Sequence, residues 1–260
     1  MRNTLHRFGI ATLCLLALAS QQAARADDGK PEETKPVAIA QNLKAKDSVQ
    51  YKVITTITGG ADVTVEQNRK YTVKEIKDNG NIVSTIANLG GKVNLNGADQ
   101  EIPPGAPVAL TQSKNGSVLT YTPETDNNPY FSAATLNLLE MIDHIILPEK
   151  PVKPGDSWTT EVDNPAVKGK KVKIKTTYVK ADKVEGVAAW KIKQTLEADT
   201  EGGGDKLTSE TIALLDASNG QLIQAEDDVK AIPARMGVID WKSKIQRVKP
   251  DAAKTEKQPD

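Results

Sequence analysis

Alternation with a period of two residues decides the fold class, and it is clearest in the stretch KVKIKTTY at residues 171–178. Val172, Ile174 and Tyr178 fall on one face of an extended chain, because successive side chains of a strand point to opposite faces. The lysines between them fall on the other face. A grip on an anionic polymer or a lipid headgroup is one reading of these lysines, but a solvated strand face explains their spacing.

The same alternation recurs along most of the chain. Its apolar positions lie within residues 49–57, 63–76, 82–87, 190–196, 212–214, 222–225 and 239–245. Turn sequences rich in Gly, Asn and Asp separate several of these runs, at residues 78–81, 201–205 and 216–220. Runs with one apolar and one polar face are typical of antiparallel sheets. The chain is therefore predicted to be mainly β, as a curved antiparallel sheet or an open half-barrel.

A helical period marks one segment. Apolar residues recur there at spacings of three and four, at Phe131, Ala134, Leu138, Ile142 and Ile145. Asn128 can cap the start of a helix, Pro129 suits its first position, and Pro148 ends it. We predict one principal amphipathic helix over residues 129–146, with Glu140 and His144 on its polar side.

The predicted helix separates two strand-rich halves, residues 47–127 and 149–249. The halves begin on similar sequence, LKAKDSV at 43–49 and VKPGDSW at 152–158, and each contains an Asn-Gly turn, at 115–116 and 219–220. This likeness predicts an internal repeat. Asp-Ser also caps turns locally, so unrelated hairpins can converge on it. Whether the halves form one sheet or two stays open.

The first 26 residues have the three parts of a secretory signal. Arg2 and Arg7 precede the apolar run IATLCLLALA at 10–19, and Ala24-Arg25-Ala26 offers a cleavage site. The run is too short to cross a bilayer, which takes about 20 residues. The signal is therefore expected to be cleaved, and the protein to be periplasmic or extracellular. Cys14 does not fit a lipidation site, because Leu13 precedes it inside the apolar run.

Cleavage after residue 26 would leave an exposed leader (27–46), a single β-rich domain (47–249) and a disordered tail (250–260). The mature chain would carry 31 basic and 34 acidic residues. This balance gives no reason to expect a nucleic acid or an anionic membrane as partner. No second apolar run is long enough for a transmembrane segment.

Few residues of the predicted mature chain could act in catalysis. Cleavage removes Cys14, the only cysteine, and leaves His144 as the single histidine. We interpret His144 as the partner of Glu140 in an ordinary helical ion pair, since the two are four residues apart. The acidic triplet 226–228 is interpreted as a solvated strand end. We expect no catalytic residue, no metal site and no cofactor.

Aromatic residues are the best candidates for a ligand site. Together with one leucine, they could line an apolar pocket beneath the helix, and the set is Tyr51, Tyr71, Phe131, Leu138, Trp158, Trp190 and Trp241. Such side chains also simply fill cores. A pocket would need a concave sheet that is incompletely filled.

Two short motifs resemble those of an uncharacterised secreted bacterial family. They are PVKPGDSW at 151–158, of the type PVxxGDxW, and DASNGQL at 216–222. The sheet–helix–sheet order is also similar to periplasmic lipoprotein-carrier and lipid-carrier folds, which hold an acyl chain under helical lids. By this analogy we expect an exported, non-enzymatic binding or carrier protein for a lipid or another apolar ligand. The alternative is a structural or interaction module of the envelope, with a protein partner and no small ligand.

Overall fold

The computed structural model describes residues 35–58, 63–122, 128 and 130–249. The predicted signal, the first part of the leader and the predicted tail lie outside these residues. The described strands are β1 (Ser48–Thr58), β2 (Val63–Ile76), β3 (Ile82–Leu95), β4 (Ala98–Ile102), β5 (Val108–Gln112), β6 (Val118–Thr122), β7 (Ser157–Asp163), β8 (Lys171–Val184), β9 (Val187–Ala198), β10 (Leu207–Asp216), β11 (Leu222–Ala234) and β12 (Gly237–Arg247). One helix is described, α1 (Ala133–Asp143).

All twelve strands belong to one antiparallel sheet, which is not closed. Its order is β6-β5-β3-β2-β1-β12-β11-β10-β9-β8-β7, and β4 pairs with β3 beside this path. Each half thus contributes six of the described strands, and the two halves meet where β12 of the second half pairs with β1 of the first. The prediction of a mainly antiparallel β fold with one principal helix is confirmed, and the halves form one sheet.

Strand β8 shows why the sequence folds in this way. Val172, Ile174 and Tyr178 are buried, at 0–2% exposure, and the lysines between them are exposed. One face of the strand therefore packs on the core while the other stays in water, as the alternation predicts.

The core contains two clusters of buried apolar residues. The first joins Leu110 of β5, Leu138 of α1 and Val172 of β8. Because β5 and β8 lie near opposite edges of the sheet, the sheet must curve around α1 to bring them into one cluster. The second cluster includes Ile39 and Ile192, so the leader segment, residues 37–43, reaches the core.

The start of α1 differs from the predicted start at residue 129. Ser132 is the N-cap, and its hydroxyl accepts a hydrogen bond of 3.1 Å from the N–H of Thr135. The side chain of Asn128 accepts from the N–H groups of Tyr130 and Phe131, both at 2.9 Å. Asn128 therefore caps a separate turn just before the helix.

The end of α1 also comes earlier than predicted, because the sheet supplies the next hydrogen bonds. His144 is already extended. The Gln194 amide nitrogen donates to the His144 carbonyl oxygen, and its oxygen accepts from the Ile146 N–H, both at 2.9 Å. One side chain of β9 thus replaces the next helical turn, and the buried side chain of Ile146 packs on the core without helical geometry.

The two similar sequence stretches form the same turn. The Asp47 carboxylate accepts from the Lys44 N–H at 2.7 Å, and the Asp156 carboxylate accepts from the Lys153 N–H at 2.8 Å. The residue before each aspartate has positive φ, +75° in the first turn and +93° in the second. These equivalences agree with the predicted internal repeat, which stays a prediction.

Each Asn-Gly turn holds the segment that leads into the other half. The Asn219 carbonyl accepts from the Asn42 N–H at 2.9 Å, and the Asn115 carbonyl accepts from the Leu147 N–H at 2.7 Å. The glycine of the second turn, Gly220, has φ +71°, and a Cβ there would lie 2.3 Å from the Ala40 carbonyl oxygen. The leader segment therefore packs too closely for any side chain at that position.

Candidate functional site

A row of polar side chains crosses the otherwise apolar face of the sheet. Its members lie directly opposite one another on six adjacent strands: Thr55, Ser243, Asp227, Thr211, Gln194 and Thr176. Thr55 is half-buried and the other five are buried. We call this set the polar row. It interrupts a face that elsewhere presents apolar residues such as Val53, Ala225 and Ile192.

The ends of the polar row are satisfied and its centre is not. Thr55 and Ser243 share a hydrogen bond of 3.0 Å, and the Thr176 hydroxyl donates to Gln194 at 3.1 Å. Among the described residues, neither carboxylate oxygen of Asp227 nor the Thr211 hydroxyl has a well-formed hydrogen bond, and Thr211 is the one neighbour whose side chain lowers the pKa of Asp227 by hydrogen bonding. A buried polar group without a partner costs about 1–3 kcal/mol. Buried polar groups without well-formed hydrogen bonds are rare in folded proteins, so the centre of the row is a candidate site.

The position of Asp227 corrects the interpretation of the acidic triplet. Asp227 is only 4% exposed, and only its two neighbours point to the wet face. Glu226 pairs with Lys244 there, and Asp228 pairs with a lysine as well. The prediction of a solvated strand end is thus wrong for the middle residue. The alternation of side chains along a strand predicts that Asp227 points inward, because Ala225 and Val229, two residues away on either side, are apolar and lie on the same face.

The end of α1 brings further charges to the same face of the sheet. Arg69 of β2 donates to the Asp143 carboxylate at 2.9 Å. His144 Nε2 contacts the Glu140 carboxylate at 2.8 Å, and Gln112 contacts Nδ1 at 2.8 Å. The predicted Glu140–His144 ion-pair geometry is present. The predicted exposure is wrong, because the Glu140 side chain is 6% exposed and the His144 side chain 13%.

Burial governs the protonation of the two aspartates. Burial, the largest cause, and the nearby charge of Asp143 together raise the pKa of Asp227 to about 8, against a hydrogen bond from Thr211 that lowers it. Burial also raises the pKa of Asp143, while the Arg69 guanidinium opposes the rise. Since Arg69 stabilises the charge on Asp143, we assign the ionised state to Asp143 at neutral pH and the protonated state to Asp227.

A cavity of about 110 Å³ adjoins the end of α1. Arg69, Asp143 and His144 line one part of it, and apolar side chains such as Val53 and Ile245 line another. Pockets for small-molecule ligands usually measure about 300–1,000 Å³. This cavity can thus hold a small polar group or a few waters, but not a long acyl chain.

The predicted ligand residues separate into groups. Tyr51 and Tyr71 meet edge to face at 5.6 Å between ring centroids and line the cavity. Phe131 and Trp241 meet edge to face at 6.2 Å. They lie in the first cluster with Leu138, away from the cavity lining.

The other two tryptophans pack on the core. Trp158 contacts both clusters, and its indole N–H donates to the Ile146 carbonyl at 3.1 Å. Trp190 packs against the second cluster. Neither lines the cavity. A ligand-binding role for the seven residues stays a prediction. The sequence analysis did not predict the polar row. Its signal in the sequence is a polar residue at an alternating position that is otherwise apolar in each strand.

Two features are not found in the part of the chain that the structure describes. No group of three or more His, Cys, Asp or Glu side chains is arranged to hold a metal ion there. Nor does that part contain a helix with the length and apolar character needed to span a membrane.

Comparison with known proteins identifies no family. No family model matches the chain, and no curated protein sequence matches it. Three solved structures align with most of it. A Bacteroides fragilis protein, described as exported and with a YmcC-like fold, is 11% identical with a TM-score of 0.36, over 82% of this chain and 100% of its own.

The other two structures have similarly low sequence identities and TM-scores. A Parabacteroides distasonis protein described as a lipoprotein is 9% identical with a TM-score of 0.35, over 80% of this chain and 99% of its own. The hypothetical lipoprotein YmcC of Escherichia coli K12 is 11% identical with a TM-score of 0.28, over 79% and 86%. Likeness at this level carries no argument about function, and the motif-based resemblance stays a prediction.

Proposed function

We propose that the protein is an exported, non-enzymatic binding or carrier protein for a lipid or another apolar ligand. The ligand lies between α1 and the curved inner face of the sheet. The observation that carries this proposal is that one short helix covers the inner face of the sheet. A single described helix of 11 residues, about 16 Å long, shares one apolar cluster with Val118 of the edge strand β6, and Val162 of the other edge strand, β7, packs against that cluster.

The middle of α1 is attached in a way that suits a lid, whereas its C-terminal end is held by the Arg69–Asp143 ion pair. Its middle packs through apolar side chains, with Leu138 at 0% and Ile142 at 1% exposure. A ligand chain can replace such contacts without leaving polar groups unpaired. Since the cavity of about 110 Å³ beside the end of α1 is too small for a lipid, the middle of α1 has to lift before a ligand enters beneath it.

If α1 must lift, substitutions that loosen its packing should change the affinity for the ligand. If only the open form binds, the apparent dissociation constant equals the intrinsic constant divided by the fraction of open protein. Leu138→Ala weakens the packing of α1 by about 2–5 kcal/mol, so it should raise the open fraction and tighten binding. Ile192→Ala is the matched control, because Ile192 is equally buried but lies in the second cluster.

The experiment titrates the delipidated protein with a phosphatidylethanolamine that carries an environment-sensitive fluorophore. We expect saturable binding at one lipid per chain, at least 10-fold tighter binding by Leu138→Ala, and no tightening by Ile192→Ala. Ile142→Val provides a milder change if Leu138→Ala does not fold. Absence of saturable binding by all four proteins would refute the carrier function.

The alternative is an envelope interaction module, and one surface favours it. Met236 and Val238 at the β11–β12 hairpin are 89% and 62% exposed. Tyr130, 59% exposed, accepts a backbone hydrogen bond from Arg235 in that hairpin. Loss of a cross-linked envelope partner in Met236→Asp, but not in Val187→Asp at another hairpin, would support this function.

A further inference from the structure

We propose that the ligand is an amphiphile whose amine or hydroxyl group binds Asp227 at the centre of the polar row, and that a simple carboxylate such as a fatty acid is rejected. This inference rests on the proposed function, since it names the class of ligand held beneath α1.

The geometry of the polar row carries the inference. Asp227 is more than nine-tenths buried, and both of its carboxylate oxygens lack a well-formed hydrogen bond among the described residues. The neighbouring Thr211 side chain is the one hydrogen-bonding group that lowers the pKa of Asp227, and its hydroxyl has no other partner in the part of the chain that the structure describes. The Asp227 carboxyl and the Thr211 hydroxyl therefore lie at one point of an apolar face with no described partner beyond each other. An amine or hydroxyl on the ligand donates to the carboxyl oxygens of Asp227. A ligand carboxylate can accept the Asp227 proton but donates nothing to these oxygens.

The charges around Asp227 favour the same class of ligand. Asp143 faces it from α1 and is acidic, while Thr211 from β10 and Ser243 from β12 are neutral. Arg69 is close to Asp143 and is already engaged by it at 2.9 Å. A ligand carboxylate would add a negative charge beside two acids, and an ammonium group would offset one.

Binding of an amine also predicts a proton balance. In the free protein Asp227 holds its proton. When an ammonium group pairs with it, the carboxyl becomes a carboxylate and one proton leaves to the solvent, so charge and atoms balance. Calorimetry in two buffers of different ionisation enthalpy measures this release, which a purely structural role of Asp227 would not produce.

The test compares three probes with the same chain, dodecylamine, dodecanol and dodecanoate, below their micelle-forming concentrations at pH 7. Each competes with the fluorescent lipid. We expect dodecylamine and dodecanol to bind at least 10-fold more tightly than dodecanoate. Asp227→Asn should lower the affinity for dodecylamine at least 10-fold and abolish proton release. Asp228→Asn should leave both unchanged, since Asp228 points to the opposite face.

The outcomes separate the two proposals. Equal binding of the three probes by the wild-type protein, or tightest binding of dodecanoate, would overturn the ligand class and leave the carrier function standing. No binding of any probe, together with no binding of the fluorescent lipid, would overturn both.

Discussion

Replacing Asp227 by Asn should make the protein more stable at alkaline pH. The folded protein holds a proton on this carboxyl up to about pH 8, while the unfolded chain releases it near pH 4. Between these values the folded state binds more protons, so stability falls as the pH rises. A shift of about four pKa units corresponds to roughly 5 kcal/mol. Asp227 should lower the stability of the wild-type protein by this amount between pH 4 and 9, and the Asn variant should lack this contribution.

Urea unfolding at several pH values measures the effect as the free-energy difference between variant and wild type. Asp228→Asn is the control. Partial burial raises the pKa of Asp228, but hydrogen bonds from Lys230 and Lys242 outweigh this and lower it. Its carboxylate therefore stabilises the fold above pH 4, and its replacement should have the opposite sign. A variant-to-wild-type difference that does not change with pH for Asp227→Asn would show that this carboxyl is not a buried, protonated acid.

Two further substitutions test the attachments of the leader segment and α1. Gly220→Ala should cost at least 2 kcal/mol, because its Cβ would lie 2.3 Å from the Ala40 carbonyl oxygen. Gly202→Ala, with φ +86° and open space around the Cβ, should cost about 1 kcal/mol, and equal losses in urea unfolding would contradict the role of close packing. Arg69→Met should cost about 1–3 kcal/mol, because it leaves the half-buried Asp143 without its partner; no measurable loss would show that the pair is solvated.

The strands could be predicted because their signal is local. In β8 every second residue is apolar, and the pleat converts this directly into a buried and a wet face. The order of the strands and the pairing of β1 with β12 depend on contacts about 190 residues apart, such as Val53 with Ile245. No local pattern specifies those contacts.

The helix was predicted in position but not in length. The apolar spacing continues to Ile145, yet α1 ends at Asp143. Gln194 takes the backbone groups that the next turn would have paired, and its position 50 residues along the chain is invisible to a helix pattern. Glu140 and His144, polar by type, end up buried and half-buried against the sheet.

The polar row could be predicted only in part. Asp227 lies in the apolar phase of its strand, and so does Thr211 in β10. The phase of each strand is visible in the sequence, but the register that places these two residues side by side is not. The site is thus formed by strand pairing, which converts six isolated polar residues into one row.

Native mass spectrometry of the mature protein tests the central claim most directly. The protein should be purified from its own exported fraction without detergent. The proposed function predicts an additional bound mass that disappears on denaturation and is identified as a lipid or another amphiphile. A spectrum with the mass of the chain alone, from protein that also fails to bind added lipid, would contradict it.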